Sequence, residues 1–235
     1  LLPGWVEVIL YALMPLFHVH TFLALSLFLA SLFLFTHQLA FLRCAGFAFL
    51  PATLCMLLVT DRLSAAGGID WQVGWMMENW GWRFWAENFG LILPLGAGLA
   101  LALTRPDFAT DRGLPSGVAR GFVWPAVGLF IACCFVRFAP WAWDNVKLML
   151  WSWVVVAPFL QALVLSRVIQ PFRAVVYLLL LLPGMVGLAT GLDGRHGYRL
   201  ADQQELDAVR SAVADLPAGA TFAAHPDYNH PLILT

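Results

Sequence analysis

From residue 8 to residue 42 the chain carries no Asp, Glu, Lys or Arg, and further charge-free runs cover 44–60, 88–104, 121–136, 148–166 and 174–192. Most of these approach the ~20 apolar residues that cross a hydrocarbon core, so the pattern predicts several membrane spans. The first run would make a helix of about 50 Å, too long for a core of about 30 Å. Pro15 and the "HVH" at 18–20 supply the break. The expected elements are a short helix at 4–17, a bend, and spans near 21–36, 44–60, 88–104, 121–136, 146–166 and 174–191. Pro183 and Gly184 kink the last of these. Between spans, Trp71, Trp75, Trp82 and Trp85 fall on one helical face, the signature of an amphipathic helix with its indoles at headgroup depth.

After residue 192 the pattern changes to that of a soluble domain. Asp202 and Glu205 are spaced as a capping box ahead of a helix in which Leu206, Val209 and Val213 share a face. "LPAGA" then turns into a strand "TFAAH", stopped by Pro226, and "PLILT" opens a second strand. The fold expected is an all-α polytopic membrane protein of six to seven membrane helices over 1–192. The start of a small extracytoplasmic α/β domain, cut off early, follows over 193–235.

Composition sharpens this picture. The chain is 61% hydrophobic and 11% charged, with a mean hydropathy of +0.78, outside the range of ordinary soluble domains. A net charge of −1 gives no basic footprint for nucleic acid. Cys44, Cys55, Cys133 and Cys134 all lie in apolar runs without C-x-x-C spacing, so they read as small core residues. Phosphate-cradling, nucleophile-elbow and zinc-protease motifs are absent from the sequence. Arg43, Arg105, Arg112, Arg120, Arg167 and Arg173 fall in one set of loops, against Arg62, Arg83, Arg137 and Lys147 in the other. The richer set is expected on the cytoplasmic side, which puts the HVH bend, the Trp-rich segment, Asp144 and the C-terminal domain together outside.

Candidate chemistry sits at those outer edges. "FAPWAWDNVKLMLWSW" (138–153) follows Arg137 and places Asp144, Asn145 and Lys147, the single lysine of the chain, among tryptophans at the head of a span. Charges there pair with one another or line a polar cavity. Asp144 reads equally as a helix N-cap and as a ligand residue, and Lys147 as a snorkelling side chain or a phosphate contact. His18 and His20 read as interfacial histidines held by backbone and water, as phosphate donors, or as a thin site for a divalent metal. His225, Asp227 and His230 share one loop, read either as a turn or as ligand groups after a strand.

"PLFHVHTF" (15–22), "NFGLILPL" (88–95), the 138–153 block and "LPAGATFAAHPDYNHPLILT" (216–235) together resemble blocks of bacterial polytopic membrane proteins similar to GT-C-type glycosyltransferases. The resemblance implies a multi-pass protein of the bacterial inner membrane. It implies transfer of a sugar from a polyprenyl-linked donor to an acceptor outside the cytoplasm, with Mg2+ or Mn2+ as the metal to consider. It assigns His18, His20, Arg137, Asp144, Asn145, Lys147, His225, Asp227 and His230 to substrate binding. The acidic motif such enzymes carry in their first outer loop has no counterpart here, so the principal carboxylate is expected upstream of a chain whose ends both read as cut. The other reading of the same features is a transporter or flippase of a lipid-linked or amphipathic substrate, or a non-catalytic membrane subunit.

Overall fold

The computed structural model describes residues 3–59, 70–71, 73–74, 82–138, 144–193, 202–214, 216–217 and 220. The expected strands at 221–225 and 231–235 lie outside the described residues. Two compact units divide the chain, Leu1–Pro183 and Gly184–Thr235.

In the first unit α1 (Gly4–Phe17) ends where the sequence predicts its break, and α2 (Val19–Thr36) begins one residue later. Helices α3 (Leu39–Val59), the one-turn α6 (Asp107–Thr110), α7 (Ser116–Phe135), α8 (Asn145–Leu163) and α9 (Gln170–Leu192), whose last part falls in the second unit, follow. A short 3-10 turn, Leu165–Arg167, closes α8. With α2, the helices α3, α7, α8 and α9 make five long and apolar enough to cross a membrane. At 14 residues, α1 is about 21 Å long and falls short of a span. The expected span at 88–104 is broken: α4 (Trp82–Phe89) and α5 (Ile92–Ala102) meet at 85°. The described residues are thus mostly helical, with five apolar helices of membrane-crossing length, or six if the bent pair counts as one, the make-up of a multi-pass membrane protein.

The bend is built on Gly90, whose φ of +53° suits a residue without Cβ. A Cβ here would stand 3.0 Å from the Pro183 ring and 3.4 Å from the Leu179 carbonyl oxygen. Pro183 has no N–H, so that carbonyl, four residues earlier in α9, loses its helical donor. Glycine therefore lets the bend nest against the notch that proline leaves in α9.

The Trp-rich segment departs from its expected helix. Asp70–Trp71 form a short strand, β1, paired antiparallel with β2 (Val136–Arg137) in the register Asp70↔Arg137 and Trp71↔Val136. The Trp71 ring stacks on Phe135 at 6.2 Å. Backbone pairing at the end of α7 wins over helical periodicity here. Trp75 lies outside the described residues, and α4 continues the helical pattern from Trp82.

The main core joins α2, α5, α7 and α8 through residues such as Phe28, Leu99, Val123, Phe130, Val156 and Leu160. Buried Cys133 and Cys134 belong to it. The tightest approach is α7 on α2. A Cβ at Gly117 would come within 2.5 Å of the Phe35 carbonyl oxygen, and one at Gly121 within 3.1 Å of Leu32 Cα. This G-x-x-x-G spacing lets two membrane helices pack backbone to backbone. A smaller core ties α1 to α2 and α3 through Tyr11, Ala12, Phe22, Ala48 and Ala52.

In the second unit, α10 (Gln203–Ala214) opens on the predicted capping box. The Asp202 N–H donates to Glu205 Oε2 at 3.1 Å, and Asp202 Oδ1 accepts from the Gln204 N–H at 3.4 Å. Leu206, Val209 and Val213 form its half-buried face.

Candidate functional site

The site grows from two helix starts at one end of the bundle. His18 is extended (φ −161°, ψ 96°), and its N–H closes α1 on the Met14 carbonyl at 2.8 Å. Its carbonyl then accepts from Phe22 N–H, which begins α2. The side chain caps the new helix: Nδ1 accepts from the Thr21 N–H at 3.1 Å and from the Thr21 hydroxyl at 2.9 Å. Thr21 Oγ1 in turn accepts the indole N–H of Trp151 on α8 at 3.1 Å. With Nδ1 an acceptor twice over, the neutral ring carries its proton on Nε2. The His20 ring stands 5.5 Å from that of His18 and lies within electrostatic reach of Asp144 and Lys147.

Asp144 occupies the N-cap position of α8, but its carboxylate caps no backbone amide. Instead Oδ1 holds Lys147 Nζ at 2.7 Å, with 49% of the lysine side chain exposed. An exposed i,i+3 pair is worth well under about 1 kcal/mol, so stability gives little reason for a carboxylate and an ammonium at this boundary. The side-chain cap that the sequence offers does not form, and the carboxylate pairs with Lys147.

Asn145 takes a different place. It is fully buried, accepts the Phe138 N–H at 2.8 Å, and donates to the carbonyls of Val136 at 2.6 Å and Cys133 at 3.3 Å. Its amide pins the exit of α7 and β2 to the entry of α8, and thereby sets where Asp144 and Lys147 stand. Arg137 is bound to Asp70 at 3.1 Å across the two-stranded ribbon. His225, Asp227 and His230 lie outside the described residues.

The structure therefore gathers His18, His20, Asp144 and Lys147, ties Arg137 to Asp70, and makes Asn145 part of the frame. Thr21 and Trp151 were not singled out in the sequence. Thr21 stands three residues after the capping His18, the spacing at which a cap meets the first free amide; Trp151 carries no such signal. Replacing Thr21 by valine is expected to cost about 1–2 kcal/mol through the two lost hydrogen bonds. Nitrogen NMR of labelled histidine should then show the His18 Nδ1 resonance shifted by the loss of one of its two donors, and an unchanged spectrum would remove this relay.

A metal centre does not suit the cluster. Among the described residues no three of His, Cys, Asp and Glu converge, His18 Nδ1 is occupied, and Asp144 is engaged by a lysine. Mg2+ and Mn2+ call for an oxygen-rich shell. What the arrangement offers is an ammonium, an imidazole N–H and a second imidazole at a membrane boundary, a set of donors for an anionic oxygen. Comparison with protein-family models, curated proteins and solved structures finds no match to this chain.

Proposed function

We propose that this chain is part of a GT-C-like membrane glycosyltransferase that takes a sugar from a polyprenyl phosphate or pyrophosphate carrier and delivers it to an extracytoplasmic acceptor. The observation that carries the reading is the convergence of His18, His20, Asp144 and Lys147 at one end of the bundle, where two helix starts meet. Leu150, three residues beyond Lys147 on α8, is 60% exposed, so an apolar surface leads to the charged pair, as a carrier lipid requires. In this reading Lys147 and the His18 Nε2–H stabilise the departing phosphate, and Asn145 and Asp144 position the lysine. The resemblance of four sequence blocks to such enzymes is what supports transfer over mere binding.

The test is transfer of labelled sugar from a polyprenyl-linked donor by the protein reconstituted in liposomes. Lys147→Ala and Asp144→Asn are each expected to lower transfer about tenfold or more, the value of one charge-assisted hydrogen bond, while membrane insertion is kept. Wild-type transfer by both variants would take the pair out of the site.

The 85° break between α4 and α5 favours a second reading, translocation of a lipid-linked substrate, because broken helices recur in transporters. Movement of a carrier headgroup to the side reached by a membrane-impermeant reagent, without sugar transfer, would select it.

A further inference from the structure

At the end of the bundle opposite His18, two arginines stand where α8 finishes. Arg112 donates from Nε to the Leu163 carbonyl at 3.1 Å and from a terminal nitrogen to the Phe108 carbonyl at 2.8 Å. Its guanidinium lies 3.9 Å from the centroid of the Phe108 ring. Arg167 donates to the Ala162 carbonyl at 3.2 Å. Two of these bonds meet the C-terminal carbonyls of α8, where the helix dipole favours a cation. Among the described residues neither arginine has a carboxylate within ion-pair distance, and both keep N–H donors to spare.

Beside them lies a cleft of about 340 Å3 between α5 and the end of α8. Its floor is Pro94, Gly98 and Ala102, one turn apart along α5, which leave a furrow about 12 Å long. Pro94 and Gly98 are exposed, and the space over Gly98 is open, with no atom within 4 Å of where a Cβ would stand. The furrow runs along a membrane-embedded helix and stops at the two guanidiniums.

An acyl chain by itself needs no arginines, and a free phosphate needs no furrow. A ligand that uses both is an anionic phospholipid. The surrounding segments favour the same charge, with Arg105, Arg112, Arg120, Arg167 and Arg173 against Asp107 and Asp111. We infer that this cleft binds an anionic phospholipid, whose headgroup phosphate bridges Arg112 and Arg167 and whose acyl chain lies over Gly98. The planar fork of arginine suits phosphate oxygens, and basic pockets between membrane helices take such headgroups. The lipid would lie between α5 and the end of α8. Nothing in this inference depends on the transferase reading.

Native mass spectrometry of the delipidated protein, titrated with phosphatidylglycerol or phosphatidylcholine, tests it. Phosphatidylglycerol is expected to bind about tenfold tighter, and Arg167→Gln to erase most of that preference. Gly98→Leu, whose side chain enters open space, is expected to weaken binding of phosphatidylglycerol about tenfold by filling the furrow, with the fold kept by circular dichroism. Soluble glycerol phosphate is expected not to displace the lipid. Equal retention of both lipids, or full phosphatidylglycerol binding by Gly98→Leu, would overturn the site. If Arg167→Gln does not fold, the lipid comparison and the Gly98 variant decide alone.

Discussion

Gly117→Ala is expected to destabilise the protein by about 3 kcal/mol, the upper part of the range for forcing atoms into a packed contact. The added methyl would stand 2.5 Å from the Phe35 carbonyl oxygen and 3.2 Å from its carbon. Both are backbone atoms of α2, so no side chain can swing away and the helices must separate. Separation also loosens Gly121 from Leu32 one turn further on, and with it the contact between the two helices. Gly128→Ala on the same helix meets nothing within 4 Å and gains helix propensity of up to about 1 kcal/mol. The two variants should therefore shift thermal unfolding in detergent in opposite directions. A common shift, of either sign, would show that α7 does not rest on α2 through this spacing.

Asn145→Ala is expected to cost about 4 kcal/mol. Truncation leaves the Phe138 N–H and the Val136 and Cys133 carbonyls without their partner at a buried position. Each orphaned group costs about 1–3 kcal/mol unless water reaches it, and the vacated volume adds a cavity penalty. Asn145→Asp keeps the acceptor and loses both donors, so it should fare no better. Limited proteolysis between α7 and α8, alongside thermal unfolding, reads the effect. Asp144→Asn, which removes only an exposed ion pair, should leave unfolding nearly unchanged. An Asn145 variant as stable as the Asp144 one would mean that the amide does not hold this junction.

Legibility of the fold in the sequence followed the physics of each element. Charge-free runs mark helices because lipid accepts no unpaired charge, so the mostly helical membrane class could be read directly. The break ahead of α2 was also visible, since Pro15 and the HVH triplet interrupt a run too long for one span. Gly90 was not read as a bend, because the 85° turn depends on a notch that Pro183 makes in a helix distant in sequence. Trp71 was misassigned for a similar reason: its strand exists through pairing with Val136, which periodicity within 70–87 does not contain. The Gly117 and Gly121 spacing was present in the sequence and would have announced the α2 contact had small-residue patterns been sought.

At the site, residue types were legible and their division of labour was not. Asp144, Asn145 and Lys147 are near neighbours in the chain, yet one turn of helix sends the amide into the core and the two charges to the surface. His18 read as an interfacial histidine held by backbone and water, as a phosphate donor or as half of a thin metal site. Its extended backbone makes it a helix cap, with Nδ1 spent on Thr21.

The bend at Gly90 also bears on the bilayer. Helix α5, with 11 residues, rises about 16 Å, roughly half the usual hydrocarbon thickness, before the chain turns sideways into α4. There Arg83 and Glu87 are paired and largely exposed, while Phe89 packs on Phe130 and Trp153. Fatty tails cannot surround such a pair at full depth. A leaflet that thins or admits water on this flank would shorten the oil that a headgroup there has to cross.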